Sequence, residues 1–196
     1  MTKSTPALFL DRDGVINVDI GYLHKPEDCI FVDGIFDLVK RANSLGYKVF
    51  IVTNQAGIAR GYYTEAHFLE FSAWMKEEFN RHQAHIDEIY FCPHHPAHGV
   101  GEYLTECDCR KPAPGMFLKA QAAFDIDMQA SVMVGDNISD LEAAKAAKVG
   151  HLNLFISRKI NRSITQTEQT QVKELQCHAA SSLNEVLIPN RLLLNQ

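Results

Sequence analysis

The sequence predicts an α/β fold: a Rossmann-like, three-layer α/β/α arrangement around a central parallel sheet. Three observations predict it. Short apolar runs recur along the chain, each of strand length. Segments with helical apolar spacing separate them, and such alternation implies a parallel sheet covered on both faces. Four of the runs end in polar residues or lead to a polar loop, where open α/β sheets bind their ligands.

The elements follow in order. Ala7-Leu8-Phe9-Leu10 reads as a buried strand and runs directly into Asp11-Arg12-Asp13-Gly14. Asn17 to Asp33 is a long loop with turn formers, a length that in a compact domain often serves function. Ile35, Leu38, Val39, Ala42 and Leu45 mark one helix face, and Gly46 suits its C-terminal cap. Val49 to Val52 is a second strand, ending in Thr53-Asn54-Gln55-Ala56-Gly57. Thr64 can cap a helix that buries Phe68, Phe71, Met75 and Phe79. Ile86 to Phe91 is a third strand. A loop rich in His, Cys, Gly and Pro runs from Cys92 to Pro114, and Pro114 suits the first turn of the next helix. Val132 to Val134 is a fourth strand, ending at Gly135-Asp136-Asn137. Asp140 to Ala147 is a short helix and His151 to Phe155 a fifth strand. Ser157 to Gln176 is polar and reads as loop with a little helix. Ser182 to Glu185 has capping-box spacing for a last helix.

At 196 residues the chain is expected to be one domain, residues 1–196, with a loop inserted at 92–109 and a tail at 190–196. No large cap domain is expected. A net charge of −5 argues against a nucleic-acid partner or a membrane-surface role. It leaves room for a small phosphorylated substrate, which needs only local cations. No apolar run reaches membrane-spanning length and no signal pattern is visible, so a cytoplasmic protein is expected, as a monomer.

Asp11 and Asp13 form the first candidate site. Two carboxylates this close repel, and a divalent cation relieves the repulsion. Oxygen ligands with one or two carboxylates suit Mg²⁺ beside a phosphate. Thr53 and Asn54, Arg110 and Lys111, and Asp136 and Asp140 follow later strands or the polar loop. Hydroxyl, cation and acid could therefore meet Asp11 and Asp13 on one edge of the sheet.

A second candidate site is structural. Cys92-Pro93-His94 and Cys107-Asp108-Cys109 are two short ligand pairs flanking one loop. Three thiolates and one imidazole form a closed tetrahedral set for Zn²⁺. His95 and His98 could replace His94, but His94 mirrors the Cys107/Cys109 spacing. Cys29 and Cys177 read as small apolar residues. The loop runs straight into Arg110-Lys111, so a bound zinc would fix where those cations point.

The segments DRDGVIN, TNQAG, RKPAPG and GDNISD, in this order over about residues 7 to 156, resemble the haloacid dehalogenase superfamily of phosphatases. The resemblance implies that Asp11 attacks phosphorus to form an aspartyl-phosphate. It implies that Asp13 protonates the leaving alkoxide and then activates water. It also implies Mg²⁺ held by Asp11, the main-chain carbonyl of Asp13 and Asp136. Asp140 would be a further support for that metal or stand behind it. Thr53 and Lys111 would hold the phosphoryl oxygens. VDIGYLHKPE, TNQAGIARGYYTE, YFCPHHP and CDCRKPAPGM resemble a zinc-loop branch that removes the 7-phosphate of a heptose 1,7-bisphosphate in lipopolysaccharide precursor synthesis. A related branch acting on histidinol phosphate shares the loop and is the alternative. The resemblance implies sugar contacts from Asp19, Ile20, Gly21, Tyr22, Thr53, Asn54, Gln55, Ala56, Arg110 and Lys111, with Arg60 as a further cation. It leads one to expect lysine at position 137, where this chain has asparagine.

Two other classes compete. A non-catalytic, zinc-stabilised binding module should have lost Asp11 or Asp13, and both are present. A phosphomutase must exclude water, which a chain without a large cap does poorly.

Overall fold

The structure is a computed structural model and describes residues 4–156 and 165–190. Six strands form one sheet in the order β3-β2-β1-β4-β5-β6. They are β1 (Ala7–Leu10), β2 (Lys48–Asn54), β3 (Glu88–Cys92), β4 (Val132–Gly135), β5 (His151–Phe155) and β6 (His178–Ala180). Every neighbouring pair is parallel. The strand order reverses at β1, between β2 and β4, so the ligand crevice of a doubly wound sheet lies beyond those carboxyl ends.

The helices are α1 (Ile35–Ser44), α2 (Ala56–Ala59), α3 (Glu65–Arg81), α4 (Gly115–Phe124), α5 (Ile138–Ala146) and α6 (Gln166–Leu175). Alternation along the strands builds two cores, one on each sheet face. Leu8 and Leu10 of β1, with Val49 and Ile51 of β2, pack under α1 and α3 through Val39, Phe71 and Phe79. Ala7 and Phe9, with Phe50 and Val52, pack under α4 and α5 through Phe117 and Leu141. The Phe9 ring lies 4.9 Å from Phe117 and 5.5 Å from Phe50. These layers are those the apolar runs predict, and they make β1 a rigid platform for whatever follows Leu10.

The excursion between β1 and α1 folds back on itself. Val18 N–H donates to Ile30 C=O and Val32 N–H to Ile16 C=O, with a 3₁₀ turn at Pro26–Asp28 at its far end. Neither this loop nor the loop between β3 and α4 contains a strand of the sheet or an α-helix. No cap domain is therefore present among the described residues.

Some element predictions need correction. Residues 166–175 form a ten-residue helix, more than the little helix expected, because α6 docks on α5: Val172 and Leu175 cover the second core and Lys145 Nζ donates to Glu174 C=O. Two apolar residues in ten leave no periodicity to read. β6 pairs along β5 with the sequence His-Ala-Ala, which carries no strand signature. Ser182 caps only a 3₁₀ turn, Leu183–Glu185, not a helix. α5 begins at Ile138, earlier than expected, because Asn137 rather than a later residue is its cap. Residues 157–164 of the expected loop and 191–196 of the expected tail lie outside the described residues.

Candidate active site

Asp11 directly follows β1, Thr53 and Asn54 end β2, Asp136 follows β4, and Asp140 sits in the first turn of α5. Lys111 comes from the loop after β3 and enters between them. Its ammonium donates to Asp11 Oδ1 (2.8 Å) and Val52 C=O (2.8 Å) and pairs with Asp140 Oδ1 (2.7 Å). The side chains of Lys111 and Asp140 are only 2% and 3% exposed, so these are close to fully desolvated contacts. Burial opposes the Lys111 charge, but Asp11 and Asp140 outweigh it and hold the lysine above its ordinary range.

Ligand oxygens of Asp11, Asp136 and Asp140 lie within 4.8 Å of one another. Of these three carboxylates, Asp11 and Asp140 meet the Lys111 ammonium. Burial, and then the charges of Asp140 and Asp136, push the Asp11 carboxyl well above its usual range despite Lys111. The excess negative charge in a half-dry site is what a divalent cation fits, and oxygen donors suit Mg²⁺. Two glycines let these acids approach. A Cβ on Gly14 would overlap the Asp136 carboxylate, and its φ is +89°. A Cβ on Gly135 would overlap Asp140.

Asp140 has both oxygens engaged. Oδ1 meets Lys111 and Oδ2 accepts from Asn137 N–H, closing a capping box in which Asn137 Oδ1 accepts from Ser139 N–H. The spacing Asn137-x-x-Asp140 carried this signal in the sequence, and it was missed there.

The Asp13 side chain turns away from the acidic cluster. It accepts from Arg12 (Nη2, 2.9 Å), Asn17 Nδ2 (3.0 Å) and Gln55 Nε2 (3.2 Å), yet keeps 23% of its surface exposed toward the cleft. Arg12 is buried, lies over the rings of Phe68 and Phe71 and donates to Leu23 C=O. Sequence reasoning passed over Arg12. A cation between two motif aspartates was the available signal.

The sulfurs of Cys92, Cys107 and Cys109 gather with His94 Nδ1. Cys107 Sγ lies 3.5 Å from Cys92 and 3.3 Å from Cys109; His94 Nδ1 lies 4.0 and 3.6 Å from Cys92 and Cys109. A tetrahedral zinc with Zn–S bonds of about 2.3 Å sets its sulfurs about 3.8 Å apart, so these four residues could hold one. Burial pushes the Cys92 thiol far above its ordinary value, a cost that a cation would remove. His95 is spent locally, its Nδ1 accepting from Ala97 and His98 N–H, which leaves His94 as the imidazole of the set.

Comparison with known proteins reaches the same architecture. Residues 7–148 match the family model of haloacid dehalogenase-like hydrolases. The chain belongs to this family. A Vibrio cholerae relative named D-glycero-β-D-manno-heptose-1,7-bisphosphate 7-phosphatase is 52% identical over 145 residues, 74% of this chain and 78% of that protein. A Burkholderia mallei relative with the corresponding α-anomer name is 53% identical over 159 residues, 81% of this chain and 84% of that protein. The crystal structure of D,D-heptose 1,7-bisphosphate phosphatase from B. bronchiseptica, complexed with magnesium and phosphate, superposes with a TM-score of 0.74. It is 26% identical and covers 97% of this chain and 99% of that one. The chain is accordingly a phosphoric monoester hydrolase of the haloacid dehalogenase-like family.

In this hydrolase an open cleft of about 280 Å³ lies over the carboxyl edge of the sheet. Asp11, Asp13, Thr53, Lys111, Asp136 and Asp140 line it, with Asp19, Asn54, Arg110 and Asn137 at its sides. Five of the ten residues expected to contact the sugar thus border it: Asp19, Thr53, Asn54, Arg110 and Lys111. Ile20, Gly21 and Tyr22 lie outside this lining; Ile20 and Tyr22 are 51% and 44% exposed, and the Tyr22 ring meets Tyr62 edge-on at 4.6 Å. Gln55 is buried and spent inside the protein, and Ala56 opens α2. Arg60 caps the other end of α2 and does not border the cleft. Arg110 Nη1 donates to His94 C=O (3.3 Å), which ties this cation to the Cys/His cluster. Among the described residues no helix is long and apolar enough to cross a membrane.

Proposed function

We propose that this chain is a Mg²⁺-dependent phosphatase that removes the 7-phosphate of D-glycero-D-manno-heptose 1,7-bisphosphate through an aspartyl-phosphate. It would then serve the synthesis of ADP-heptose for lipopolysaccharide, in the cytoplasm. The observation that supports the reading most strongly is the convergence of Asp11, Asp136, Asp140 and Lys111 at the carboxyl ends of β1 and β4. The names of relatives sharing about half of the aligned residues supply the substrate.

The contacts support the following roles. Asp11 is the nucleophile: a carboxylate attacks phosphorus in line without needing a helper base. Lys111 fixes its orientation and supplies positive charge beside the incoming phosphoryl group. The ammonium already meets three protein oxygens, of Asp11, Val52 and Asp140, so direct contact with a phosphoryl oxygen requires exchange of one of them. Asp13 gives a proton to the leaving alkoxide and later takes one from water. Its outward edge reaches the cleft while Arg12, Asn17 and Gln55 hold its other side. Asp11 and Asp136, with the main-chain carbonyl of Asp13, would hold Mg²⁺. Asp140, with both oxygens already used, sets Lys111 and caps α5. When bound, the metal would offset the mutual repulsion of carboxylate and phosphate. Cys92, His94, Cys107 and Cys109 would hold a structural Zn²⁺ that stiffens the loop carrying Arg110. Arg110 then meets the second phosphate of the substrate, since a guanidinium pairs well with phosphate.

A phosphate-release assay with Mg²⁺ across a panel containing both heptose 1,7-bisphosphate anomers and histidinol phosphate tests the reading. A kcat/KM at least tenfold higher for a heptose bisphosphate supports it. Preference for histidinol phosphate would move the substrate to the alternative branch.

A further inference from the structure

Gln55 has a place in the fold that no sugar contact would require. It is 2% exposed. Its one NH₂ group donates to both Thr53 Oγ1 (2.8 Å) and Asp13 Oδ2 (3.2 Å). Its carbonyl oxygen accepts from Tyr63 Oη (2.5 Å). The Asp13 carboxylate only accepts, which fixes which end of the amide faces the site and so commits the Tyr63 hydroxyl as a donor. A flipped amide would set its oxygen against the Asp13 carboxylate, which has no hydrogen to give. Tyr63 is itself held: it is buried, its ring stacks on His24 at 4.7 Å, and it fills the space that a side chain at Gly57 would occupy. Both donor hydrogens of the amide are used and no part of the side chain borders the cleft.

We propose that Gln55, clamped by Tyr63, is a positioning residue that sets Asp13 and Thr53 relative to one another. The inference rests on the reading of Asp13 as the proton donor and acceptor of phosphate transfer. One planar amide bridges the group that must reach the leaving oxygen and the hydroxyl beside the phosphoryl site, so their separation is fixed by a single rigid part. Arg12 adds to the frame by donating to both oxygens of the Asp13 carboxylate, and it is itself buried over two aromatic rings. A carboxylate held by two fixed donors enters the reaction with little reorganisation, the condition under which a positioned acid is most effective.

The test is a double-mutant cycle with Mg²⁺ and a sugar phosphate substrate. Gln55→Leu and Tyr63→Phe should each lower kcat, by roughly 10- to 100-fold and roughly 3- to 10-fold respectively, with KM changed less than about twofold. Gln55→Leu placed in an Asp13→Asn background should cost no more than about twofold beyond Asp13→Asn alone. Full additivity of the two losses would overturn the proposal, as would a rise in KM at constant kcat, which marks a substrate contact. If Asp13→Asn alone leaves kcat near wild type, the proton-transfer reading fails first and the positioning role falls with it. Tyr63→Phe removes a single oxygen and keeps the ring on His24, so it remains informative if Gln55→Leu does not fold.

Discussion

The side chain of Asn54 and the backbone of Lys111 clasp each other. Asn54 Nδ2 donates to Lys111 C=O (3.1 Å) and Asn54 Oδ1 accepts from Lys111 N–H (3.0 Å). The end of β2 thereby seats the loop that delivers Lys111 to Asp11. Asn54→Leu removes both bonds and leaves a half-buried peptide group unpaired, at roughly 1–3 kcal/mol. The expected outcome is a fall in kcat of about tenfold or more with the Asp11 carboxylate chemically intact, measured by steady-state phosphate release. Wild-type kcat would show that Lys111 is seated by other contacts.

The Cys/His cluster should carry stoichiometric zinc, measured by atomic emission on protein purified without added metal. Removing a structural zinc, by chelator or by Cys107→Ser, should lower Tm by roughly 5–15 °C. Because Arg110 donates to the carbonyl of His94, substrate affinity should weaken together with stability. An unchanged Tm after complete zinc removal would refute a structural role.

Arg110→Ala should raise KM for a sugar bisphosphate by roughly tenfold while altering KM for a monophosphate less than about twofold. Arg110 borders the cleft and directly precedes Lys111 in the loop after β3. Equal effects on the two substrates would remove its role in binding the second phosphate.

Tyr63 gives a pH dependence whose sign is fixed. Burial is the main cause that moves its hydroxyl from the ordinary value of 10 up to about 12. Between these values the unfolded chain loses this proton before the folded one does. Stability contributed by Tyr63 is therefore full below pH 10 and is lost as pH rises toward 12. Denaturation of the wild type and Tyr63→Phe across pH 9–12 should show a steeper decline for the wild type. Parallel curves would mean that the phenol does not stay protonated in the fold.

Much of this was legible in the sequence because it depends on local chemistry. Apolar runs such as Ala7–Leu10 and Val49–Val52 can hardly be other than buried strands, and Asp11, Thr53 and Asp136 sit where those strands end. The paired spacing of Cys92/His94 and Cys107/Cys109 needed no fold at all to be seen. What stayed hidden depends on partners distant in the chain. Nothing near Gln55 says that Tyr63 will turn its amide inward, and Arg12 looks exposed until Phe68 and Phe71 close over it. α6 and β6 are invisible for a related reason: they are stabilised by docking on α5 and β5, not by their own periodicity.

The role of Asp11 is tested most directly by the configuration at phosphorus after one round of hydrolysis, using a substrate whose transferred thiophosphoryl group is made chiral by its sulfur and two oxygen isotopes, with the third isotope supplied by the water. Two successive in-line displacements, first by Asp11 and then by water, should give net retention. Net inversion would mean that water attacks the substrate directly and that Asp11 never carries the phosphoryl group.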